Sequence, residues 1–241
     1  MLRKILNSFQ KRGIFGTLIW TIKDPLYLYK RFREKRFDKT YGTDTGEIIQ
    51  VSEFDDTTPN YEYACWYEGI THDFFNKMIK AIPIAHGDFV FVDLGSGKGK
   101  SLMLASRFPF KKIVGVELFQ ELHEIAKKNI ESFVNRKKIP DNFELCWMDA
   151  ESYNFPENNL VLFLYNPFHG KVMLSVLNKI GEFLKQNPFQ VIIFYRNPKC
   201  ADLFDKQDFL KTVISSPHYR VYTGVNQAFG HYSPVMIGSP V

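Results

Sequence analysis

From residue 89 onward the hydrophobic pattern of this chain alternates between two periods. Phe89-Val90-Phe91-Val92 is a continuous apolar run, the mark of a strand buried on both faces. Ser101–Phe108 then reads as helix, Ile113-Val114-Gly115-Val116 as a second strand, and Phe119–Asn135 as a helix with Leu122, Ile125, Ala126, Ile130 and Phe133 on one face. Phe143–Met148 and Leu160–Tyr165 are the next two strands. Lys171–Gln186 is a helix facing inward through Met173, Val176, Leu177, Ile180 and Phe183/Leu184, and Gln190–Tyr195 is a fifth strand. Strands alternating with helices predict an α/β fold, a doubly wound and mostly parallel sheet. The tail departs from this rhythm. Val213–Ser215, Tyr219–Thr223 and Val235–Gly238 read as strands with little helix between the last two, which predicts an antiparallel C-terminal hairpin at one edge of a seven-stranded sheet.

The first sixty residues follow other rules. Leu2, Ile5, Leu6 and Phe9 recur at helical spacing among basic residues. Asp24-Pro25 reads as an N-cap followed by proline at the first helical position, opening a basic helix over Leu26–Phe37. Residues 41–60 are rich in turn formers, and Tyr61–Ile82, which ends before Pro83, is predicted as helix. The expected organisation is a basic helical N-terminal extension and loop over residues 1–60, then one domain over 61–241.

Composition sharpens the contrast. With 45% hydrophobic and 24% charged residues the chain is globular rather than disordered. Its formal charge of +5 is unevenly placed: residues 1–40 hold eleven Lys/Arg and three Asp/Glu, a net of +8, while residues 41–241 carry a net of −3. Any electrostatic partner therefore belongs first to the extension. There, packing on the body, contact with a membrane surface and contact with nucleic acid are expected in that order. The longest uncharged stretch near the N-terminus, Gly13–Ile22, is ten residues, about half a bilayer span. It leads into Lys23-Asp24-Pro25 without a small-residue cleavage site, so neither a transmembrane helix nor a secretory signal is expected, and a basic, acid-poor transit peptide stays open. Three distant cysteines and six histidines without ligand spacing argue against disulfides and against a metal site; a reducing, cytoplasmic setting is expected, with membrane association open.

The chemistry concentrates in Asp93-Leu94-Gly95-Ser96-Gly97-Lys98-Gly99-Lys100-Ser101, which follows the first strand and opens a helix. Glycines at every second position allow tight turning and close approach of a ligand. The place is the carboxyl end of a parallel sheet, where ligands bind. A phosphate-binding P-loop would need glycine at Leu94, and a dinucleotide fingerprint would need glycine at Lys100. The run Asp93-x-Gly95-x-Gly97-x-Gly99 instead resembles the first motif of class I S-adenosylmethionine (SAM)-dependent methyltransferases. The second strand ends in Gly115-Val116-Glu117, the third in Met148-Asp149-Ala150 and the fourth in Tyr165-Asn166-Pro167-Phe168, each similar to that family's motif at the same place. Singly each looks like a capped turn or a satisfied loop acid; four in order carry the resemblance, which covers about residues 61–241.

The resemblance implies SAM as cofactor. Gly95, Ser96, Gly97 and Gly99 would frame its methionine part, and Asp93 would orient that loop or reach the amino group through water. Glu117 would accept both ribose hydroxyls, Leu118 would pack on the adenine, and Asp149 and Ala150 would contact it. Asn166-Pro167-Phe168 resembles the [DN]-P-P-[YF] element of amine-methylating members with one proline fewer, which implies these three residues as the catalytic turn and nitrogen as the acceptor. The glycine loop is also similar to that of non-SET histone-lysine methyltransferases. The Arg36–Thr45 stretch and the Tyr-Asn-Pro-Phe turn are similar to bacterial class I methyltransferases, a likeness that brings no acceptor with it. His169 is either a proton acceptor or a solvated residue at a helix start. Tyr61, Tyr63, Trp66 and Tyr67 are either lid packing or an aromatic wall for a cationic amine. The expected function is methyl transfer to a protein lysine or small amine; a non-catalytic SAM-binding adaptor and an RNA or DNA methyltransferase are the alternatives.

Overall fold

The computed structural model of the chain describes residues 25–224, with side chains from residue 33 onward. Seven strands form one sheet: β1 (Phe89–Leu94), β2 (Lys112–Glu117), β3 (Phe143–Trp147), β4 (Asn159–Tyr165), β5 (Val191–Arg196), β6 (Leu210–Ser215) and β7 (Tyr219–Gly224). Their spatial order is β3-β2-β1-β4-β5-β7-β6. The first five pair in parallel, and β7 runs antiparallel to both β5 and β6. This is the doubly wound sheet with an antiparallel terminal hairpin that the pattern predicts. The hairpin joins the two strands around 213 and 221; the expected strand at 235–238, the first amphipathic helix and the Asp24 cap lie outside the described residues.

The apolar runs alternate faces, and each face meets its own helices. Val90, Val92 and Leu94 of β1 point with Leu162 and Leu164 to α5 (Gly170–Gln186), which buries Val172, Met173, Val176, Leu177 and Ile180. Phe91, Phe163 and Phe194 point the other way, to α2 (His72–Ile79), α3 (Lys100–Ala105) and α4 (Gln120–Lys137). The basic helix is α1 (Pro25–Tyr41). It lies on α4, where Tyr41 tilts onto Phe133 with ring centroids 4.7 Å apart. Lys35, Arg36 and Lys39 face solvent, whereas Arg33, Glu34, Phe37 and Asp38 are half-buried.

One predicted element is different. Residues 61–82 are not one helix: a 3-10 turn covers Tyr61–Tyr63, the chain then runs extended, and only His72–Ile79 is α-helical. Tertiary backbone pairing overrides local propensity here. Cys65 N–H donates to the Pro167 carbonyl at 2.9 Å, and Tyr67 exchanges two bonds with Ile49 at 2.9 and 3.1 Å. A run of Tyr, Trp and Cys interrupted by Gly69 suits such an extended crossing better than a helix. The consequence is functional, because the extended segment crosses the carboxyl ends of the strands.

Candidate active site

The β1–α3 loop is shaped by its glycines. Gly95, Gly97 and Gly99 adopt φ of 89°, 55° and 80°, the left-handed region that side chains resist. Gly95 and Ser96 N–H both donate to the Val116 carbonyl, tying the loop to β2. Glu117, at the end of β2, is 5% exposed; one carboxylate oxygen accepts the Gly97 N–H at 2.7 Å and the other the Phe119 N–H at 2.9 Å. Each oxygen keeps a further lone pair for a ligand. Burial, opposed by those N–H donors, pushes its carboxyl up to about 6. Asp93 is 2% exposed and accepts the Ser101 hydroxyl through Oδ2. Burial, with the Glu117 charge nearby, holds its carboxyl well above the usual range.

These residues floor a cleft of about 840 Å³, its solvent mouth included. Residues 64–70 roof it, and the Tyr67 ring lies directly on Gly97, where a Cβ would overlap it. At one end Leu118, Phe119 and Leu122 line it beside Met148, Asp149 and Ala150. The Asp149 carboxylate accepts the Glu151 N–H at 2.9 Å and the Asn60 amide at 2.6 Å, so that acid is tied to the segment that leads into the roof. At the other end stand Tyr165, Pro167 and Phe168, with Glu68 and the 44%-exposed Trp66 at the rim.

The cofactor residues named from sequence are therefore brought together: Asp93, Gly95, Ser96, Gly97, Glu117, Leu118, Asp149 and Ala150 all line one cleft, and Gly99 caps α3 just behind it. Of the turn after β4, Pro167 and Phe168 line the cleft, while Asn166, in the left-handed region at φ 45°, is buried and is not among the lining residues. Its amide donates to Cys65 Sγ and accepts from the Tyr195 hydroxyl, both at 3.5 Å. His169 is exposed beside the Tyr63 ring. Sequence reasoning did not single out Glu68, Gly69 or Asn129. Their signal is tertiary, since it needs the roof to be extended and the 41–45 loop to reach α4.

The residues fit a SAM molecule. Two buried polar atoms at this cleft, Asp93 Oδ1 and Ser96 Oγ, have no protein partner, a combination that calls for a polar ligand. Glycine at 95 and 97 keeps the floor free of Cβ atoms. Bound there, SAM supplies an electrophilic methyl on a sulfonium. The chain's own part would be to hold the ribose at Glu117, to press the adenine among Leu118, Phe119 and Ala150, and to keep water out with the 64–70 roof.

The topology, the glycine loop with its β2 acid, and a family match define the class: this is a class I SAM-dependent methyltransferase, with SAM as its cofactor. The matching family model is described as histone methylation protein DOT1 and covers residues 60–162, ending within β4 before the Tyr165–Phe168 turn. No curated protein matches the chain. Among solved structures, the chain is similar to an RNA methyltransferase from Salinibacter ruber in complex with S-adenosyl-L-homocysteine (SAH). Identity is 18%, over 64% of this chain and 90% of that one, with a TM-score of 0.43. It is also similar to a putative methylase from Haemophilus influenzae (18% identity, 64% and 98% of the two chains, TM-score 0.45). A predicted N6-adenine-specific DNA methylase from Listeria monocytogenes matches at 13% identity over 65% of this chain and 51% of that one, with a TM-score of 0.48.

Proposed function

We propose that this methyltransferase transfers the methyl group to a nitrogen, on a protein lysine or a small amine. The observation that carries the reading is the charge of the cleft. Besides Asp93, whose burial favours the neutral acid, its lining holds three carboxylates, Glu68, Glu117 and Asp149, against one ammonium, Lys100, which Glu34 already neutralises. Such a cleft attracts a cationic amine and repels a polyanion, which disfavours RNA and DNA. Glu68 and Trp66 sit where an entering ammonium would meet an acid and an aromatic face. The matching family's description names histone methylation, which supports a protein acceptor. Pro167 and Phe168 wall the acceptor end, and Asn166 sets that turn from behind through Cys65 and Tyr195. One observation favours a second reading, a SAM-binding adaptor without transfer: the Asn166 amide is taken up by Cys65 and Tyr195, and Asn166 is not among the residues that line the cleft.

Radiolabelled SAM with a lysate separates these readings. Label is expected in protease-sensitive, nuclease-resistant material and in methyl-lysine after hydrolysis. Glu68→Gln should lower kcat/KM for the identified amine about tenfold. Nuclease-sensitive label would replace nitrogen on protein by nucleic acid, and SAH binding without any label would favour the adaptor.

We also propose that residues 1–40 hold the enzyme at the cytoplasmic face of an anionic membrane. Their net charge of +8 and the outward Lys35, Arg36 and Lys39 of α1 support this. No helix among the described residues is long and apolar enough to cross a membrane. The full chain should pellet with phosphatidylserine vesicles, and reversing those three charges should release it. Equal pelleting of both proteins, or none by either, overturns the idea.

A further inference from the structure

The glycine loop carries two lysines that the proposed reaction does not use. Both are buried, Lys98 at 1% and Lys100 at 2% exposure. Each is met by a carboxylate from the segment that precedes the sheet: Lys98 Nζ lies 2.9 Å from Asp44 Oδ2, and Lys100 pairs with Glu34 of α1. A buried ammonium without a partner is strongly unfavourable, so these pairs fix where the segment lies. Two further ties run to the same loop. The Asn129 amide of α4 donates to the carbonyls of Lys98 and Asp44 at 2.9 and 3.0 Å, and its oxygen accepts the Asp44 N–H at 2.8 Å. The Thr45 carbonyl accepts the Tyr67 hydroxyl at 3.1 Å, and the Tyr67 ring rests on Gly97. Asp38 gathers the segment into shape, accepting both threonine hydroxyls, of Thr43 and Thr45, and the Thr45 N–H.

A loop with three left-handed glycines has much conformational freedom to lose on binding. These ties remove it beforehand. We propose that residues 34–45 form a clamp that pre-organises the SAM loop, with Asp44 and Glu34 as positioning residues acting through Lys98 and Lys100. The proposal rests on the reading of this cleft as the cofactor site. The acidic side chains do not reach the cofactor; they act on the affinity of a loop they hold from behind. The same ties explain why the Arg36–Thr45 stretch combines an aspartate, a tight glycine turn and paired threonines.

The experiment measures SAH binding by calorimetry and amide exchange of residues 95–99 in the free full-length protein, well below the melting temperature. Asp44→Asn and Glu34→Gln should each weaken SAH binding about tenfold, with the loss in entropy, and speed exchange of the loop amides. Asp44→Glu should restore most of the affinity. The double variant Asp44→Asn/Lys98→Met should bind more tightly than Asp44→Asn alone, because no buried ammonium is left unpaired. Affinity of Asp44→Asn within twofold of wild type, whatever its melting temperature, overturns the clamp. A wild type that fails to bind SAH overturns the cofactor reading, and the exchange data then still report whether the ties order the loop.

Discussion

Glu117→Ala should abolish measurable SAH binding, a loss of at least about 100-fold or about 3 kcal/mol. The carboxylate accepts the N–H groups of Gly97 and Phe119 and lines the cleft with its remaining lone pairs. Removing it leaves two buried donors without partners and the ribose hydroxyls without an acceptor. The wild type should carry the same dependence in its pH profile. Burial pushes this carboxyl up to about 6, and ribose binding needs the ionised form. SAH affinity should therefore be flat above pH 6 and fall about tenfold per pH unit below it, as one proton competes with the ligand. Stability moves the opposite way. The folded carboxyl holds its proton to a higher pH than the unfolded one, so this group favours the fold below its unfolded range, and that contribution is lost as pH rises through about 6. Asp93, also raised, acts in the same direction. Calorimetry from pH 5 to 8 reads the binding limb. Affinity that does not change across pH 6, together with tight binding by Glu117→Ala, would remove the acid from the site.

The sheet was legible because its signal is local and repeated. The short continuous apolar runs at 89–92 and 160–165, rich in β-branched and aromatic residues or bounded by turn formers, have the pattern of strands buried on both faces, and the helices between them carry a 3.6-residue stripe. The floor of the cleft was legible for a related reason: Gly95, Gly97 and Glu117 stand at strand ends, so the strand assignment places them together. The roof was not. Tyr61–Ile82 has enough apolar residues for a helix, and what makes it extended is the Pro167 carbonyl and the Ile49 backbone, distant in sequence. Asn166 illustrates a finer limit. Sequence puts it in the turn that follows β4, where the structure also has it, but only the positions of Cys65 and Tyr195 decide what its amide bonds to. The clamp was hidden for the same reason, since Lys98 and Lys100 in a glycine loop invite a phosphate reading until Asp44 and Glu34 are seen against them.

Gly95→Ala should cost more in methyl transfer than in cofactor affinity. Gly95 sits at φ 89°, and a Cβ there would overlap Pro167. Pro167 cannot simply retreat, because its carbonyl accepts the Cys65 N–H at 2.9 Å and the next residue, Phe168, bridges to Ala64. The added methyl therefore pushes the cofactor floor and the acceptor turn apart. In-line transfer tolerates little of that, and a misplacement of about 1 Å can cost about 100-fold. The expected result is at least about a 100-fold fall in kcat, with a smaller rise in the SAH Kd and a melting temperature lower by several degrees. Gly99→Ala is the control. It shares the left-handed backbone at φ 80°, but its Cβ would meet the Ala126 Cβ at 3.3 Å, on the α4 side away from Pro167. It should lose about 1 kcal/mol of stability through backbone strain and keep a kcat close to that of wild type. The contrast isolates the contact from the conformation. If both alanines lower kcat equally, backbone strain alone explains the loss and the Gly95–Pro167 contact sets nothing. If Gly95→Ala alone loses transfer while still binding SAH, the distance between the cofactor loop and the Asn166–Phe168 turn is what aligns the acceptor with the methyl group.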